Sequence, residues 1–169
     1  MEDAYRPEAW HDLYIMLGGA AAVLTGLIFV AVSLHLRAVL HDPWRRGRAG
    51  SSLLALMSVV LISGALLAPP QPAAALGLEI AAISLANPAY SIVGLVHLRG
   101  AERRRALPEL VLGIIVALLA VGAGVSLAAG AGGGLWLLLP GAATALTSSV
   151  VNSWRLMVGV AEGSTTEAH

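Results

Sequence analysis

Eighteen consecutive residues, Leu17 to Leu34 (LGGAAAVLTGLIFVAVSL), carry no charge. A bilayer core about 30 Å thick takes roughly 20 mostly apolar residues to cross as a helix. Such a stretch restricts the chain to a membrane span or a deeply buried helix, and its repetition decides between them. Further stretches of the same character are expected at about 51–68, 73–97, 108–129 and 135–158, the first running over about 13–36. Only 12% of the 169 residues are charged, against about 25% in soluble domains. The expected fold is an all-α integral membrane protein: one domain, residues 1–169, forming a bundle of five transmembrane helices.

Orientation follows from the arginines. The ten basic residues are all arginine, and nine of them lie in the segment 37–48, in the segment 99–105 or at Arg155. The connections at 69–72 and 130–134 carry no charge. Cytoplasmic loops collect Lys and Arg, so the N-terminus is expected outside and the C-terminus inside a bacterial cytoplasmic (inner) membrane. The flank MEDAYRPEAWHD is net acidic where a signal peptide carries a basic region, so the first span reads as a retained helix. There is no cysteine, which excludes disulfides, thiolate metal sites and cysteine nucleophiles.

Several residues carry more information than hydropathy. Gly18, Ala22 and Gly26 recur every fourth position, a small-residue face that lets a second helix backbone approach. Packing is the first reading of that face, and a homo-oligomer is the expected result; a pore lined by small residues is the alternative. The third span is the most polar, with Glu79 near its outer end and Asn87-Pro88 near its middle. Polar groups inside a bilayer are costly and often functional. Asn87 is expected to meet hydroxyls on a neighbouring helix or the carbonyl freed by Pro88, and to face the fifth span or a watery cavity. Thr25, Asn87 and Thr147 lie at similar depth in the first, third and fifth spans, with Ser148 beside Thr147, Glu79 above and Arg155 and His97 below. These residues define an expected polar seam between spans 1, 3 and 5. Trp10 and Tyr14 are placed for an outer aromatic belt.

An offset of 62 aligns Leu34-His35-Leu36-Arg37 with Val96-His97-Leu98-Arg99 and Thr25 with Asn87. Two parallel hairpins would produce this, and so would chance among helices that share a reduced alphabet. No enzyme constellation is visible: there is no G-x-S-x-G elbow and no phosphate-binding glycine loop followed by lysine. His35 and His97 lack the carboxylates and spacing of a metal site. The chain is therefore expected not to be an enzyme and to hold no metal or cofactor, with the lipid bilayer as its surroundings and no nucleic acid as partner.

The run WHDLYIMLGGAAAVLTGLIFVAVSLHLRAVL, followed by DPWRRGRA, resembles a family of small bacterial five-span membrane proteins. They share an aromatic-rich N-terminus, a small-residue helix ending FVAVSL and an arginine loop, and some are labelled modulators of the FtsH protease. That resemblance implies a non-catalytic regulatory or scaffold partner of a larger membrane machine. The polar seam implies instead a small channel or transporter.

Overall fold

The computed structural model describes residues 6–69 and 71–166, and the side chains of all of these except 37, 38, 97, 102 and 155–166. The elements are helical throughout, with no strand among the described residues: α1 (His11–Leu34), α2 (Leu36–His41), α3 (Pro43–Leu67), α4 (Ala73–His97), α5 (Gly100–Ala129) and α6 (Leu138–Thr166). Single 3-10 turns at Pro7–Trp10 and Gly134–Leu137 precede α1 and α6. Five of the helices, all but α2, are long and apolar enough to cross a membrane. The architecture is the expected all-α bundle, and the protein is an integral membrane protein of several spans.

Both arginine-rich connections are largely helical rather than loops. Asp42 is the reason at the first: its extended backbone and its carboxylate, which accepts from Trp44 N at 2.9 Å and Arg45 N at 3.4 Å, cap α3. Pro43 then fills the first helical position, where a missing N–H costs nothing. α3 therefore starts eight residues before the expected span. α5 likewise begins at Gly100 and passes through Pro108, which does not open it. The sequence places these first turns beyond the apolar stretch, where water can serve a backbone group that proline leaves unpaired.

The opposite end is closed by a turn that only glycine tolerates. Gly130, Gly132, Gly133 and Gly134 all have positive φ, from 52° to 112°. Ser126, near the end of α5, holds this turn. Its hydroxyl donates to the Ala131 carbonyl and accepts from Gly134 N at 2.8 Å. The bundle thus has two unlike ends: a basic end, which carries the two arginine clusters, and a glycine end, which carries this turn.

α3 is the central helix, packed against α1, α4 and α6, while α4 pairs with α5. The backbones of α4 and α5 come close at Gly77 and Gly124, where a Cβ on either would stand 2.4 Å from the other's carbonyl oxygen. Gly18 meets Ser63 of α3 inside the same chain, while Ala22 and Gly26 are exposed. The small-residue face is thus divided: its first residue packs internally and the other two face outward. Trp10 and Tyr14 are also buried, at 7% and 3% exposure, rather than turned outward as a belt. Trp10 stacks edge-on against Trp136 with ring centroids 4.6 Å apart. The two aromatics roof the glycine end of the bundle above a core of Leu66, Leu76, Leu127 and Leu135.

Candidate functional site

Beneath that roof lies a cavity of about 590 Å³ between α3, α4, α5 and α6, with α1 contributing Tyr14 and Leu17. On α3 its wall runs from Arg48 to Ser63. At 1.5 Å per residue that is about 22 Å. A volume of 590 Å³ spread over such a length is a narrow slot rather than a round chamber. Its middle is mostly apolar, with Ala55, Val59, Leu112, Val116, Ala117 and Ala142 outnumbering Ser58, Ser84 and Thr144. The wall is broken between α5 and α6, where Leu112, Thr147 and Val151 all line the cavity and are exposed. Nearer the glycine end the two helices close up, with Gly141 set against Val116.

Polar groups collect at the basic end. The Arg48 guanidinium, 12% exposed, bridges three helices. It donates from Nε and Nη2 to Asn152 Oδ1 on α6, at 3.1 and 2.6 Å, and pairs with Glu109 Oε1 on α5 at 3.0 Å. Asn152 in turn donates to Ser52 Oγ at 3.1 Å, and Ser149 to the Ser52 carbonyl at 3.4 Å. Beside this cluster Asn87 Oδ1 accepts from Ser51 at 3.0 Å and from Ser91 at 3.4 Å. Charge-assisted bonds of this kind are roughly twice as strong as neutral ones, so the cluster locks α6 onto α3 and α5. The guanidinium has five N–H donors, and among the described residues none accepts from Nη1. Trp44 sits beneath it, 5.6 Å from ring centroid to Cζ.

Of the residues expected in a polar seam, the fold brings Asn87, Thr147 and Ser148 to this one cavity. Thr25 and Glu79 lie outside it. Thr25 returns its hydroxyl to Ala21 O of its own helix at 2.8 Å, the usual way a lone threonine is satisfied in lipid. Glu79 is exposed and accepts from Gln71 at 3.1 Å. The side chains of Arg155 and His97 lie outside the described residues. The seam runs along α3 rather than α1, because α3 is the helix that α4 and α6 both contact.

Arg48, Glu109, Ser51, Ser52 and Asn152 were not among the expected site residues. Arginine next to an apolar stretch marks topology so often that its position alone does not single it out. A usable signal was present in Asn152, which shares a hydroxyl-rich stripe with Thr144 and Ser148. Among the described residues no three His, Asp or Glu side chains gather as a metal would require.

The fold and cavity define a class: a multi-span helical membrane bundle enclosing a slot with one polar end. No protein-family model, curated protein or solved structure matches the chain.

Proposed function

We propose that the protein binds a single-chain amphipath with an anionic head inside the membrane, as a small transporter or carrier. The observation that carries this reading is the shape and polarity of the slot. It is narrow, mostly apolar along its middle, open sideways between α5 and α6, and ends on Arg48. A hydrocarbon chain fits such a wall, gains free energy with each buried CH₂, and can enter from the bilayer without crossing water. The head would accept from Arg48 Nη1. Arg45 and Arg48 have acidic partners in Asp42 and Glu109. The remaining arginines of the basic end leave a positive field that favours a carboxylate. The roof of Trp10, Trp136, Leu66 and Leu135 supports a binding pocket over an open channel within one chain.

The test is equilibrium binding of labelled dodecanoate to the purified protein in nanodiscs, with empty nanodiscs as background. Saturable binding near one per chain is expected. Gly113→Phe should abolish it, because Gly113 lines the slot and a Cβ there meets nothing within 4 Å, so the ring fills the cavity without displacing a helix. Uptake indistinguishable from empty nanodiscs refutes the reading.

A second reading has its own support. Ala22 and Gly26 remain exposed on α1, and small residues on a lipid-facing helix are where backbones approach closely. This favours a homo-oligomer or the docking of a larger membrane partner through α1. It is compatible with the pocket, which Tyr14 and Leu17 of α1 line and Ala22 and Gly26 do not.

A further inference from the structure

The amide of Asn87 is only half used. Its Oδ1 accepts from Ser51 on α3 and from Ser91 on its own helix, at 3.0 and 3.4 Å. Nδ2 carries two N–H donors, and among the described residues neither finds an acceptor. Two other unpaired groups, Tyr14 Oη and Ser63 Oγ, are sealed inside protein, whereas Asn87 Nδ2 keeps exposed surface. Asn87 is half-buried and lines the cavity. The hydroxyls further along the slot are already committed: Ser58, Ser84 and Thr144 each donate to the carbonyl four residues back on their own helix. A leucine at this depth would complete an apolar wall without the cost of unpaired donors. The donor pair is accounted for by an acceptor that arrives with the ligand.

The fold places that acceptor. Asn87 is fixed in the corner between α3 and α4, because Ser51 bonds it and Tyr90, three residues on, packs against Gly50 of α3. Arg48 lies one turn before Ser51 on α3 but sends its guanidinium elsewhere, to Glu109 on α5 and Asn152 on α6. The two donors therefore face the slot from different sides. Neighbouring helices stand about 8–10 Å apart, and a ligand head that meets both donors has to cover a distance of that order.

We infer that Asn87 donates to the carbonyl of an acyl ester, so that the slot takes a single-chain acyl glycerophosphate, a lysophosphatidate, in preference to a free fatty acid. This deepens the amphipath reading above and rests on it. A fatty acid has acceptors only at its carboxylate, which Arg48 holds, and leaves the Asn87 donors unpaired. In an acyl glycerophosphate the bonded path from phosphorus to the ester carbonyl is about 9 Å, at about 1.5 Å per bond. With a hydrogen bond of about 3 Å at each end, it reaches across the slot with room to bend. The phosphate lies at Arg48, where a guanidinium suits it. The acyl chain then runs on towards Leu17, Ile62, Leu137 and Leu138.

Competition against labelled dodecanoate in nanodiscs tests this, with 1-dodecanoyl-glycerol-3-phosphate, its ether analogue 1-O-dodecyl-glycerol-3-phosphate and unlabelled dodecanoate as competitors. The two glycerophosphates differ only in the ester carbonyl. The ester is expected to compete about tenfold better than the ether, the worth of a buried donor that gains its partner, and better than dodecanoate. Asn87→Asp keeps an acceptor for Ser51 and Ser91 and removes both donors. Asn87→Leu removes donors and acceptor without adding charge, and the two serines can turn to their own helices. In each variant the preference for ester over ether should fall to about twofold or less. The ratio is taken within one variant, so a change in overall affinity cancels. Equal competition by ester and ether in the parent, or by ester and dodecanoate, overturns the inference and leaves the amphipath reading standing. So does a preference for the ester that survives both substitutions. Failure of all three molecules to bind sinks the two readings together.

Discussion

The contact between Gly77 and Gly124 makes a quantitative demand on the α4–α5 pair. Replacing Gly77 by alanine puts a methyl 2.4 Å from the Gly124 carbonyl oxygen and 3.0 Å from its carbon, where ordinary contact begins at 3.4 Å. The obstacle is helical backbone, five residues before the end of α5, with no rotamer to turn aside. The two helices must separate locally by about 1 Å. Overpacking a rigid contact in this way costs about 1–3 kcal/mol. Gly94 lies on α4 with Gly77, and a Cβ there meets nothing within 4 Å. Gly94→Ala should be neutral or stabilise by up to about 1 kcal/mol, the helix preference of alanine over glycine. Tryptophan fluorescence during SDS titration of the protein in mixed micelles measures both. Gly77→Ala should unfold at clearly lower SDS fraction than the parent and Gly94→Ala at the same fraction or higher. Equal midpoints for the two variants would refute the backbone contact.

Two further outcomes are expected. With the arginines inside, single cysteines at Gly47 and Ala131 should react with a membrane-impermeant maleimide from opposite faces of sealed vesicles; Ala131 serves because Gly132, at φ +93°, would strain a cysteine. Gly26→Leu should disperse a homo-oligomer in mild detergent without lowering thermal stability, since nothing in the chain lies within 4 Å of that position. An oligomer that persists moves the interface off α1.

Hydropathy made the spans legible because the bilayer admits few alternatives to a continuous helix. Boundaries at the basic end were less legible. Arginine runs read as loops, yet the Asp42-Pro43 cap and the helix through Pro108 carry α3 and α5 past the apolar stretch. Asn87 could be singled out from sequence, because a buried amide demands partners wherever it sits. Its partners could not, because they depend on which helix stands beside which, and that depends on close contacts such as Gly77–Gly124 and Gly18–Ser63. Depth along a span equates Thr25 with Asn87, but only the helix neighbours decide that one bonds its own backbone while the other faces a cavity. Tyr14 shows the same limit from the other side: an aromatic near a span's end suits the interface, and here the fold turns it inward.

The Arg48 cluster also bears on how the chain is made. Arg48 leaves the ribosome more than a hundred residues before Asn152, so α3 must enter the bilayer before its partner on α6 exists. Glu109 arrives sooner, on α5, and can neutralise the guanidinium in the interval. Ser52 and the α3 wall of the slot wait for the last helix. A chain that stops short of α6 therefore leaves a polar stripe on α3 without its partners. The last helix to be made is thus the one that completes the polar cluster.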